Sequence, residues 1–105
     1  MFIRILNFQI RENKNNEVVA IMDSMIPRIR SRTGCINCMF IMHESDDHYA
    51  LLAFWNSRVD ADAAANFIGP QLLPPLNEIS KETVSARLYE VYQPASILAG
   101  TAIRS

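Results

Sequence analysis

A chain of 105 residues can enclose one hydrophobic core, so it is read as a single domain, and one small enough that a second subunit would help to bury its apolar surface. Half the residues are apolar, a fifth are charged and the formal net charge is −1, a balance that excludes a disordered chain and gives no long-range attraction to nucleic acid. No stretch of about 18 apolar residues occurs, and Arg4 and Asn7 interrupt the N-terminal run before a signal-like segment develops, so the expectation is a cytoplasmic protein without membrane or nucleic-acid partners.

Phe2 to Ile10 alternates as a strand, with Phe2, Leu6, Phe8 and Ile10 on one side and Ile3, Ile5 and Asn7 on the other. Both sides are apolar enough to place this strand centrally. Asn15 or Asn16 can cap a helix over about residues 15 to 32, whose apolar stripe is Val18, Met22, Met25 and Ile29. Pro27 lacks an amide donor and predicts a kink or break near Met25, and Gly34 is the expected stop. A second strand runs from Cys35 to about His43, a charged turn covers residues 44 to 47, and a third strand runs from His48 to Trp55, which together make a hairpin. Asn56 or Ser57 caps an alanine-rich helix over Asp60 to Phe67. Gly69-Pro70 interrupts it, and Pro74-Pro75 implies that Gln71 to Ser80 forms separate short turns. The fourth strand, Thr83 to Tyr92, sets Val84, Ala86 and Leu88 against Arg87, Tyr89 and Val91. A mildly apolar tail over residues 94 to 105 has no clear period.

The order βαββαβ describes an α+β, ferredoxin-like domain over residues 1 to 93, with a four-stranded antiparallel sheet and two helices on one face. The other face is apolar too, and two copies pressed sheet to sheet would close a dimeric α+β barrel.

Cys35, Cys38, His43 and His48 read C-x2-C-x4-H-x4-H, near the spacing of a zinc knuckle. The glycine-free, strand-forming run Met39-Phe40-Ile41-Met42 opposes a tight turn between the ligand pairs, and on a regular strand the two thiols point to opposite faces. No metal site is therefore expected; the methionines at 22, 25, 39 and 42 read as packing. Trp55, the single tryptophan, ends an apolar strand at the junction with the second helix, a position from which it can line a small pocket or fill the core.

The opening Phe-Ile-Arg-Ile-Leu-Asn-Phe, the helix-ending segment Ile29 to Cys35, the junction Phe54-Trp-Asn-Ser57 and the closing strand near Tyr89-Glu-Val resemble the antibiotic biosynthesis monooxygenase family of the dimeric α+β barrel superfamily. The resemblance implies a small, often cofactor-free oxygenase that turns phenols into quinones with dioxygen, working as a homodimer. In quinone-forming members a tryptophan at the end of the third strand lines the cavity, which Trp55 matches. Their asparagine falls near Leu51 here, and no arginine lies between Arg58 and Arg87, so the polar pair of those members is missing. Heme-degrading relatives carry an asparagine on the first strand, which Asn7 matches, but also a tryptophan and a histidine in the second helical region, which this chain lacks. No heme is therefore expected.

The candidate catalytic set is Asn7, Trp55 and Arg87, with Asn66, Tyr89 and His43 as candidate substrate contacts. Asn7 and Arg87 would stabilise negative charge and Trp55 would hold a ring, provided that Asn7 and Trp55 face one cavity. The competing expectation is a non-catalytic dimeric module that binds a small molecule, since fold alone confers no activity.

Overall fold

The computed structural model describes residues 1–43 and 46–94. In chain order the elements are β1 (Phe2–Gln9), α1 (Asn15–Arg30), β2 (Cys35–Met42), β3 (His48–Trp55), α2 (Arg58–Glu78) and β4 (Ser85–Glu90). The strands form one antiparallel sheet in the order β2-β3-β1-β4, so β1 is central as expected. The ferredoxin-like order is the one read from the sequence. The tail assigned to residues 94 to 105 lies outside the described residues from position 95 onward.

Strand parity decides which residues meet the helices. On β1, Leu6 and Phe8 are buried while Asn7 between them is exposed; on β3, Leu51, Ala53 and Trp55 are buried. These side chains join Val18, Met22, Met25 and Ile29 of α1 and Ala61, Ala64, Ile68, Leu72 and Leu76 of α2 in one core. Fully burying a side chain of this size contributes on the order of 1.5–3 kcal/mol each. The opposite sheet face carries Ile3, Ile5, Leu52, Phe54, Met39 and Ile41. Met39 and Met42 are among the exposed large hydrophobics, which corrects their assignment to the core.

Both helices ignore their prolines. α1 runs without interruption through Pro27, and α2 is one helix of 21 residues through Pro70, Pro74 and Pro75, where two short segments were expected. Pro27, Pro70 and Pro74 all lie on solvent-facing positions, so carbonyls that lose an amide partner can turn to water while the apolar stripe keeps its period. Gln71 Nε2 adds a side-chain bond to the Phe67 carbonyl one turn earlier, at 3.0 Å. At the start of α2, Ser57 Oγ accepts from the Asp60 amide at 3.1 Å, as the cap signal predicts. α1 departs from its expectation: its cap is Lys14, with no side-chain hydrogen bond, and not an asparagine. Gly34 turns the chain into β2 at φ +81°, with the Asp60 side chain filling the space a Cβ would need.

A register shift lies between Cys35 and Asn37, where Cys35 opposes Trp55 and Asn37 opposes Phe54. The extra residue, Ile36, reverses the alternation, so Cys35 and Cys38 share the helix-side face instead of pointing apart. Their separation by faces, expected for a regular strand, does not hold.

Candidate active site

Small side chains on facing elements create the site. α2 brings Ala61, Ala64 and Gly69 over the sheet, and below them lie Ala53 of β3 and Ala86 of β4. Larger residues at these positions would interdigitate; here they leave a cavity of about 110 Å³, open on one side. Its remaining wall is aliphatic, including Leu6, Leu51, Ile68 and Leu72.

Two polar groups meet this apolar space. Trp55 lines the cavity at 2 % exposure, and its Nε1 is buried with no hydrogen-bond partner. A buried donor left unmatched costs on the order of 1–3 kcal/mol. Arg4 is the second polar group and, among the described residues lining the cavity, the one ionisable side chain. Its Nη2 donates to Asp62 Oδ1 of α2 at 3.2 Å, with side-chain exposures of 21 % for Arg4 and 53 % for Asp62. An ion pair this open to solvent contributes at most about 1 kcal/mol. Arg4 opposes Ala53 in the β1–β3 ladder and Trp55 follows two residues later on the same face, a diagonal of roughly 7–8 Å between backbones. The cavity therefore has an indole and a cation in its wall.

The candidate residues do not assemble as the sequence set out. Trp55 faces the helices. Asn7, Arg87 and Tyr89 are exposed on the other side of the sheet, where Arg87 opposes Ile5, Tyr89 opposes Ile3 and Asn7 opposes Ala50 and Ser85. Odd-numbered positions on β1 and β4 face away from the helices, whereas odd-numbered positions on β3 face toward them. A single cavity holding Asn7, Arg87 and Trp55 is thus ruled out within one chain. Asn66 is exposed on α2, beside Ala65, which does line the cavity. His43 lies at the far end of the hairpin from Trp55, where it and His48 approach Asp46 at 3.5 and 3.1 Å. The His48 amide, donating to Asp46 at 2.9 Å, holds that carboxyl below its ordinary value.

Arg4 and the alanines of α2 were missed as site residues. Arg4 shares the parity of Leu6 and Phe8, so a cation on the core-facing side of a strand was a legible signal. The alanines were read only as helix formers, yet their size on the inward face is what leaves the space.

Cys38 is fully buried and burial, followed by the nearby Cys35, pushes its thiol up to about 12. It stays protonated and is a poor metal ligand. Among the described residues, no group of three or more His, Cys, Asp and Glu side chains could hold a metal ion, and no helix is long and apolar enough to cross a membrane.

Solved structures share this architecture over almost the whole chain. A crystal structure of an antibiotic biosynthesis monooxygenase aligns with a TM-score of 0.78 at 16 % identity, covering 89 % of this chain and 100 % of the other. The chain has the fold of the antibiotic biosynthesis monooxygenases. SnoaB from Streptomyces nogalater, described as a cofactor-independent oxygenase, aligns with a TM-score of 0.71 at 16 % identity, covering 90 % and 95 % of the two chains. A Mycobacterium tuberculosis protein gives 0.74 at 19 % identity, with 90 % and 98 % covered. No family model and no curated protein matches the sequence. Within this monooxygenase fold, Leu51, the position nearest the asparagine expected from the resemblance, lines the cavity as an apolar wall residue.

Proposed function

We propose that the protein is a small cofactor-independent monooxygenase that oxidises a phenolic aromatic molecule to a quinone in the cavity beneath α2. The observation that carries this proposal is the apolar cavity, open on one side, that Trp55 lines together with small and aliphatic side chains. A flat aromatic ring suits the aliphatic walls and the indole beside them. Among the described residues of the wall there is no carboxylate or imidazole, so the substrate enters already deprotonated, its proton left in water, and as the phenolate it is the electron source. A phenolate gives an electron to dioxygen, the two radicals combine at a ring carbon, and loss of water from the hydroperoxide leaves a quinone. One oxygen atom enters the ring and the other leaves as water, so the phenol and dioxygen balance without a further reductant. The protein contributes orientation, water exclusion and stabilisation of the anion.

The test is oxygen uptake by purified, metal-free protein with a panel of one-ring phenols and hydroquinones, beside a Trp55→Phe variant. Uptake by the parent that falls at least about tenfold in the variant supports oxygenation at this cavity. Uptake no faster than the uncatalysed reaction overturns it in favour of a small-molecule-binding module of the same fold.

We also propose that the protein is a homodimer, joined through the sheet face that carries Ile3, Ile5, Leu52 and Phe54. These side chains are only partly covered within one chain, and Met39, Ile41 and Tyr89 beside them are exposed. A contiguous apolar face of this kind is normally covered by a partner.

A further inference from the structure

We propose that the cavity selects a one-ring aromatic anion, with Arg4 as the residue that reads its charge in exchange for Asp62. The inference rests on the cavity being the ligand site and adds the class of ligand that it takes.

Size comes first. A dry engineered cavity of about 150 Å³ holds one benzene molecule, and the space here is about 110 Å³ with one open side. One ring fills it, while two or three fused rings would have to displace α2. Charge comes second. Among the described residues of the wall the one ionisable side chain is Arg4, and its guanidinium is a donor. A ligand that satisfies it presents an anionic oxygen, phenolate or carboxylate, while its ring lies against Trp55 and the aliphatic wall.

Arg4 is paired with Asp62, whose carboxylate is more exposed than the guanidinium it meets. The ligand's anionic group would therefore replace one carboxylate by another on a pair weak enough to open, while its ring covers the guanidinium and removes water from it. Screening falls as water leaves, so the new pair is stronger than the old. A neutral ring of the same shape gains no such exchange.

Trp55 is the only tryptophan in the chain, so its fluorescence reports occupancy of the cavity independently of turnover. Two arms separate the sources of charge. In the first, full-length protein is titrated with 4-hydroxybenzoate and with 4-hydroxybenzamide, which differ in charge and hardly in shape. In the second, 4-cyanophenol is titrated below and above its own pKa. At least one anion is expected to bind about tenfold more tightly than its neutral counterpart. Arg4→Met, which keeps an apolar stem in the wall, should bring the two to parity with neutral binding retained. Asp62→Asn, which removes the competing carboxylate, should tighten the anion by about threefold. That gain is a change no merely destabilising substitution produces, and it stays readable if Arg4→Met fails to fold. Equal quenching by anion and neutral ring in both arms overturns the charge selection and leaves the cavity intact as a ligand site. Failure of every ligand to quench Trp55 overturns the cavity as the site and this proposal with it.

Discussion

Cys38 and Cys35 lie on one face of β2 but differ in what the solvent can do to them. Cys38 is fully buried with its thiol raised to about 12, whereas Cys35 is half-buried and raised less strongly, chiefly by burial. In native protein at pH 8 a maleimide should label Cys35 and spare Cys38, with the second label appearing only in denaturant; mass spectrometry of native and unfolded samples decides this. The sign of the pH effect follows from the same burial. The folded state raises the Cys38 pKa above its ordinary 9.0, so the stability it contributes is complete below pH 9 and is lost as pH rises toward 12. The unfolding free energy from urea titrations should fall across that alkaline window by up to about 1.4 kcal/mol per pH unit, and a Cys38→Ala variant should show a shallower fall. Trp55 was legible as a pocket residue because an aromatic ends an apolar strand at a helix start. The faces of Asn7 and Arg87 were not, because parity within a strand is readable from sequence, whereas the register between strands depends on pairings that only the fold sets.

At the scale of the element, α2 combines tight coverage of the cavity with a weakened backbone. Gly69 lines the cavity, Pro70 follows it, and Pro74 and Pro75 lie one turn further on. Each interior proline removes one amide from the ladder, and glycine adds backbone freedom. The sequence marked this weakness and placed a break there; the inward row Ile68, Leu72 and Leu76, all buried, holds the helix together. Pro70→Ala restores a hydrogen bond on an exposed face and should stabilise the protein by about 1 kcal/mol, an upward Tm shift of about 4–8 °C. Differential scanning calorimetry checks this. If α2 must yield to admit the ring, the same variant binds ligands more slowly in stopped-flow Trp55 quenching. Ala64→Leu tests the small-residue origin of the cavity: it should abolish that quenching with little loss of stability, since the added methyl groups enter existing space.

For the whole molecule, the proposed dimer rests on the open sheet face. Sedimentation equilibrium should give twice the 11.9 kDa of one chain, and Ile5→Glu or Leu52→Glu, each placing a charge in the centre of that face, should return the mass to that of a single chain. A monomeric parent would overturn the proposed dimer. The order of elements was readable at this scale because each strand and helix carries its own period. The pairing of the Arg4 cation with Asp62 was not, because the two are 58 positions apart and nothing local to either predicts their meeting.

Arg30 closes a different route to association. Its guanidinium grips the Cys38 carbonyl through Nε at 3.1 Å and Nη2 at 2.8 Å, and β2 is an outer strand of the sheet. A foreign strand adding to that border would need its carbonyls, and this one is already held by a bulky cation beside an irregular backbone at Ile36. At this point on β2 the border is thus made a poorer template for an added strand than a bare edge would be, so the same cation that steadies the helix also discourages open-ended stacking there.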